Sequence, residues 1–233
     1  MNPTFTQTFT PTTFPIPLPP DNECPKEIHV RGKNRAALDL LYRLPDHGLA
    51  IVGPRSPSLR AERFLYEEFP KLSQTPLVVV SGFARGIDAI AHRMAIAHGI
   101  PTVAVLGTGL DILYPHQNAE LKNEILESGG LLISELPNGY PPLKHSFTQR
   151  NRLIAYFSKA LWVVEAARRS GTLNTARWGR DYHRDVYATP SFPGEIKNIG
   201  AQDLIDDKHA VPFWGAHSLS QTWLDLITLK TPF

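Results

Sequence analysis

Six short apolar runs, separated by stretches of helical spacing, constrain this chain more than anything else in it. They are GLAIVG (48–53), LVVVSG (77–82), TVAVLG (102–107), LLISEL (131–136), ALWVVEA (160–166) and DVYATP (185–190). Strands this uniformly apolar suit a parallel sheet covered on both faces. Between them lie SLRAERFLYEEF (58–69), IDAIAHRMAIAH (87–98), QNAELKNEILES (117–128), TQRNRLIAYF (148–157) and TLNTARWGRDYH (172–183). Alternation of this kind predicts an α/β fold with a doubly wound, mostly parallel sheet and helices on both faces. After Pro190 the pattern weakens. GAQDLIDDKHA (200–210) reads as one short helix and VPFW (211–214) as an edge strand.

The flanks divide the rest of the 233 residues. Residues 1–25 are rich in Thr and Pro and hold no Lys or Arg. Such a segment buries too little apolar area to offset its ordering entropy, so it is expected to be a flexible arm. Residues 26–47 contain AALDLLYRL and predict a short helical extension ending before Pro45. The α/β domain is expected over 48–214, with 215–233 as a C-terminal tail. The single cysteine, Cys24, excludes an internal disulfide. The first twenty residues have neither the basic nor the apolar region of a signal peptide. No apolar run approaches the ~18 residues of a membrane span. The expected location is the cytoplasm, with no membrane partner.

Doubly wound sheets bind ligands at the carboxyl ends of their strands, so the turns that follow the apolar runs carry the chemistry. They read Gly53-Pro54-Arg55-Ser56, then Ser81-Gly82-Phe83-Ala84-Arg85-Gly86, then Gly107-Thr108-Gly109 with Tyr114 close behind. The fourth run leads through a long loop to Lys144, Phe147, Arg150 and Arg152, and the fifth to Arg168-Arg169-Ser170-Gly171-Thr172. Glycine lets backbone N–H groups approach a ligand. A helix N-terminus adds partial positive charge, and arginine adds bidentate recognition of phosphate. The combination predicts an anion site, with phosphate as the anion.

Charge distribution points the same way. Net charge is only +2, yet residues 144–184 hold nine Lys and Arg against two acids, Glu165 and Asp181. A concentrated basic stretch is the footprint of polyanion binding. Phe147 and Tyr114 beside it suit the stacking of unpaired bases.

Several enzyme classes lack their signatures. There is no GxxxxGK[ST], no GxGxxG after the first run, no HExxH and no CxxC. Neither a metal nor a cofactor is expected. His92 reads as a packing residue. Asp88 is explained as a helix cap, Asp111 as a turn former and Glu165 as a partner of neighbouring Arg. No catalytic residue is assigned.

With these residues in place, the chain resembles the bacterial DprA/Smf DNA-processing family. SGFARGIDAIAHRMAI is similar to that family's SGxARGIDxxAHxxAL signature, and AVLGTGLDILYPHQNAEL to its next block. SFTQRNRLIAYFSKALWVVEAARRSGTLNTARWGRDYHRDVYATP continues the likeness, which is collinear over about 48–210. The resemblance implies a Rossmann-like domain that binds single-stranded DNA, helps load RecA in DNA processing and natural transformation, commonly dimerises, and is not an enzyme. Carried over, the DNA- and phosphate-binding set is Arg55, Ser81, Gly82, Arg85, Gly86, Lys144, Phe147, Arg150, Arg152, Ser170, Gly171 and Thr172. Arg55 would grip phosphate, and Phe147 would stack on or wedge against a base. The segment near 200–214 is the expected dimer surface.

There are departures. Gly-Pro-Arg stands where Gly-Ser-Arg is commoner, which removes a backbone donor. Gly200-Ala201-Gln202-Asp203 departs from a Gly-x-Asn pattern. Many relatives carry a helical domain before the core and a winged-helix domain after it, and these residues are expected to have room for neither in full, so the sequence reads as a reduced core. Two alternatives use the same pocket. One is a phosphoribohydrolase-like enzyme, whose Gly-Gly-x-Gly-Thr turn Ser170-Gly171-Thr172 matches only in part. The other is a sensor of a free nucleotide.

Overall fold

The computed structural model describes residues 4–219. One nine-stranded sheet runs through it in the order β1-β2-β6-β5-β4-β3-β7-β8-β9. The strands are β1 (Phe5–Phe9), β2 (Ile28–Gly32), β3 (Gly48–Val52), β4 (Val78–Ser81), β5 (Thr102–Val105), β6 (Leu131–Ser134), β7 (Ala160–Val163), β8 (Asp185–Ala188) and β9 (Val211–Pro212). All pairings from β6 to β9 are parallel. β1 and β2 join antiparallel at the β6 edge. All six apolar runs are strands, and the fold is the doubly wound, mostly parallel α/β sheet that their alternation predicts.

The helices are α1 (Asp39–His47), α2 (Leu59–Leu72), α3 (Ile87–Ala97), α4 (Ala119–Glu127), α5 (Lys144–Tyr156), α6 (Gly171–Asp181) and α7 (Ile199–Asp206). Side chains alternate across each strand. In β3, Ala50 and Val52 therefore join the core under α1, α5, α6 and α7. Leu49 and Ile51 join the core under α2 and α3. A third cluster packs α3 and α4 on β5 and β6. β3 is where the winding reverses, with β4 on one side and β7 on the other. In sheets of this kind the ligand crevice lies beside such a strand.

Three expectations at the flanks are corrected. Residues 5–9 are a strand and not a flexible arm, and Phe9, Phe14 and Ile16 are buried in the main core. The segment gains order by lending its few large apolar side chains to an existing core. The extension 26–47 holds β2 as well as a helix, with Ile28 and Val30 inward and His29 and Arg31 on the other face. Its helix carries Pro45 within its last turn. At the other end the chain packs beyond residue 214. Leu219 is buried, and the Ala216 N–H donates to the buried Glu68 carboxylate at 2.7 Å. Residues 220–233 of the expected tail lie outside the described residues. Among the described residues no helix is long and apolar enough to cross a membrane.

Candidate nucleic-acid interface

The turns after β3 and β4 are locked together by glycine. A Cβ on Gly86, whose φ is +73°, would lie 2.3 Å from the Pro54 carbonyl oxygen, and one on Gly53 would lie 2.5 Å from Ile87. The Ile87 N–H donates to that same Pro54 carbonyl at 3.2 Å. This close approach turns the exposed Arg55 outward over a cleft of about 530 Å³. α5 forms one wall and the start of α6 another.

On α5, Lys144, Phe147 and Asn151 share a face at helical spacing and all line the cleft. Lys144 is exposed and Phe147 half-buried. The Phe147 ring lies 5.4 Å from the Tyr114 ring, tilted by 35°. The Arg55 guanidinium stands 5.7 Å from the Phe147 centroid, within cation–π range. The Ser146 hydroxyl donates to the Gly107 carbonyl at 2.7 Å and fixes α5 to the end of β5.

Arg150 is part of the site in another sense than its sequence position suggested. It is buried, and its guanidinium donates to the carbonyls of Gly82 and Val105 at the ends of β4 and β5. Burial pushes it down to about 10, with Asp88 partly opposing the shift. Burial likewise raises the Asp88 carboxyl, which Arg150 and the Ala84 N–H pull back. Arg150 is thus a rivet under the cleft, 6.0 Å from the Phe147 centroid, with its charge turned to the protein's own carbonyls. Gly82 is required by this packing. A Cβ there would lie 2.7 Å from both Arg150 Nη2 and Asp88 Oδ2.

Arg150 still lines the cleft, whereas two expected contacts, Ser81 and Arg152, are absent from it. The Ser81 hydroxyl is buried and donates to the Ile51 carbonyl at 2.7 Å, tying β4 to β3. Arg152 follows Arg150 by two residues and therefore leaves the opposite side of α5. It is buried against Glu135 at 2.6 and 2.9 Å, with Glu23 at 3.2 Å. Arg85 is exposed on a small hollow next to the cleft, shared with Phe147, Arg55 and Tyr114.

Ser170, Gly171 and Thr172 open α6 onto the cleft. Ser170 makes no capping bond, and its buried hydroxyl has no partner among the described residues. The first turn of α6 contains no acid, so its N–H groups and dipole face the cleft uncompensated.

The basic stretch of 144–184 is dispersed by folding. Arg168 pairs with Asp203, Arg177 with Asp181, Arg184 donates to the Tyr156 carbonyl, and Arg150 and Arg152 are internal. What concentrates positive charge at the cleft is a smaller set, Arg55 and Lys144 together with the α6 N-terminus. Among the acids, Asp88 does not cap its helix as expected: it lies within the first turn of α3, which has no side-chain cap, and accepts from the Ala84 N–H of the preceding turn. Asp111 reaches across to the Gly139 N–H at 2.8 Å. Glu165 is bonded to Ser58, not to a neighbouring Arg. His92 is buried against Thr102 as a packing residue. Asn151 and Thr175 also line the cleft, and sequence reasoning missed both. Asn151 was detectable as the residue four after Phe147.

Comparison with known proteins places this arrangement. Residues 7–223 match the family described as DNA recombination-mediator protein A. Protein Smf of Escherichia coli is 39% identical over 189 residues, which are 81% of this chain and 48% of that protein. DNA processing protein DprA of Streptococcus pneumoniae is 41% identical over 170 residues, 73% of this chain and 58% of that one. The X-ray structure of the Streptococcus pneumoniae protein superposes with a TM-score of 0.77 at 31% identity, covering 97% of this chain and 75% of that one. A Helicobacter pylori DNA processing protein A, studied for its single-stranded DNA binding mode, gives 0.78 at 26% identity, covering 95% and 96%. The chain spans about half the length of the curated relatives it matches.

Proposed function

The chain belongs to the DNA recombination-mediator protein A family, and on that premise we propose that its cleft holds single-stranded DNA without regard to sequence and carries out no bond-making chemistry. The observation that carries this reading is the convergence of Arg55, Lys144 and the uncapped start of α6 around the half-buried Phe147 ring. Cations and N–H groups at the rim suit backbone phosphates, which are the same in every sequence. The Phe147–Tyr114 pair offers an aromatic face to an unpaired base. A paired base cannot turn its ring toward such a face, which favours single strands over duplex. The Helicobacter pylori relative, studied for single-stranded DNA binding, adds support.

In this reading the protein works in the cytoplasm in DNA processing and natural transformation and presents the strand for RecA loading. It acts as a homodimer through the segment near 200–214, where Val211 and Trp214 are exposed apolar side chains. The proposed contacts are Arg55, Lys144, Phe147, Ser170, Gly171 and Thr172, with Arg85 at the margin. Gly82, Gly86, Ser81 and Arg150 hold the turns in place. Arg152 belongs to the support of α5.

The test is fluorescence anisotropy of a labelled oligothymidylate at two salt concentrations, with duplex and mononucleotide competitors. Strand binding that weakens with salt and resists duplex is the expected result. Competition by mononucleotide alone, with no strand binding, would replace this reading with a nucleotide sensor or a nucleotide-cleaving enzyme.

A further inference from the structure

A second crevice opens at the same edge of the sheet, on the α2 side, with a volume of about 310 Å³. The ends of β7 and β8 are its floor, and α2 and residues 194–198 are its walls. The turn after β3 separates it from the DNA cleft, since Arg55 borders one and Ser58 the other. Its walls are apolar at Phe64, Ala61 and Val164. Its floor holds three polar side chains that are each at least 95% buried: Glu165, Thr189 and Asn198.

Each of the three has one hydrogen-bonding valence left over among the described residues. Glu165 Oε2 accepts from the Ser58 hydroxyl and N–H, whereas Oε1 shares only that N–H, at 3.3 Å. Thr189 Oγ1 accepts from the Trp162 indole N–H at 2.9 Å, and its own hydrogen has no acceptor. Asn198 accepts from the Ala166 N–H and donates one amide hydrogen to the Thr189 carbonyl, leaving its second hydrogen unused. One acceptor beside two donors is the complement of an N–H next to a carbonyl oxygen, because a carbonyl takes two donors and a ring nitrogen only one. Buried polar groups left half-satisfied call for a partner.

We propose that this crevice is a binding site for the lactam edge of a nucleobase, thymine or guanine. The N–H meets Glu165 Oε1, the carbonyl meets Thr189 and Asn198, and the ring lies against Phe64. The base can belong to a free nucleoside or to a DNA strand. The inference goes beyond the strand-binding reading and does not depend on it.

The Trp162 indole N–H reports occupancy directly, since its acceptor is Thr189. Thymidine and guanosine are titrated into isotope-labelled protein carrying Arg55→Ala, which weakens the other cleft, and the Trp162 indole resonance is followed. Saturable shifts are expected with both. N3-methylthymidine and N1-methylguanosine, whose edges are blocked, should bind at least about tenfold more weakly. Glu165→Gln should weaken the parent nucleosides by a similar factor. Its melting curve checks the fold, and the methylated ligands make the same test on protein unaltered at Glu165. Repeating the titration with oligothymidylate separates the sources: a shift at lower concentration than with thymidine assigns the base to a strand, an equal one to free nucleoside. An unmoved Trp162 resonance with every ligand, or equal binding of the methylated forms, overturns the proposal. Neither result bears on strand binding by unaltered protein.

Discussion

Gly107 and Phe147 fit each other as hole and plug: a Cβ on residue 107 would stand 2.6 Å from the Phe147 Cδ1 and 3.3 Å from its Cα. The ring keeps its place against Tyr114 only because the end of β5 offers no side chain there. Gly107→Ala is therefore expected to tilt or expel the ring while leaving the strands paired. Single-strand affinity should fall by the ~1–3 kcal/mol of one stacked base, with little change in melting temperature. Unchanged affinity in the anisotropy assay would separate Phe147 from the base contact.

Three arginines, one distinguishable behaviour each, follow from where their guanidinium groups point. Arg55→Ala should lower affinity and reduce the slope of log K against log salt by about 0.7, the contribution of one single-strand phosphate contact. Arg152→Ala should leave that slope alone and lower stability, because Glu135 is left buried without its cation. Arg150→Ala should do both kinds of harm indirectly. It frees the turns at Gly82 and Val105 and strands Asp88, at a cost on the order of 3–5 kcal/mol, yet it removes no phosphate contact. Salt titrations beside urea melts sort the three. A full-sized slope change in Arg152→Ala would contradict its placement.

His92 makes the fold acid-sensitive. Burial, helped by Arg150, pushes its pKa from near 6.5 down to about 3. Between those values the unfolded chain binds a proton that the folded chain refuses, so stability falls as pH drops from about 6.5, by up to ~1.4 kcal/mol per unit. His92→Gln should lower stability at neutral pH, through its bond to Thr102, and flatten this dependence. Urea melts at about pH 7 and about pH 5 measure the difference. An equal slope in both proteins would refute the assignment.

The N-terminal segment is a structural part. Phe14 sits edge-on to Phe9 with centroids 5.5 Å apart and packs on Phe157 at 5.8 Å. Phe14→Ala should cost ~3–5 kcal/mol, read as a lower melting midpoint. A silent substitution would restore the view of these residues as a loose arm.

Six strands and the helices between them were legible because an apolar run buried on both faces needs no partner information to be recognised. β1 and β2 were not, since Phe5–Phe9 and Ile28–Gly32 become strands only through the β6 edge they meet. Arg55, Lys144 and Phe147 were legible as residues following strands at the carboxyl edge of the sheet, although α5 begins at Lys144 and not at 148. Arg150 and Arg152 looked equivalent, and only the helical twist between them decides that one rivets the turns and the other faces two glutamates. The crevice at Glu165 left no motif at all. Its polar groups come from Ser58, Thr189 and Asn198, far apart in the chain.

The antiparallel docking of β2 on β6 also sets a timetable. Val30 and Ile133 are register partners, so the opening hairpin waits for roughly a hundred further residues before its inner edge is covered, a long loop to close. During vectorial synthesis the apolar Phe9, Phe14, Ile28 and Val30 emerge well before the strand that β2 pairs with and find their home late. A chain stalled before residue 131 would present them bare, so quality control should act most strongly on such nascent fragments.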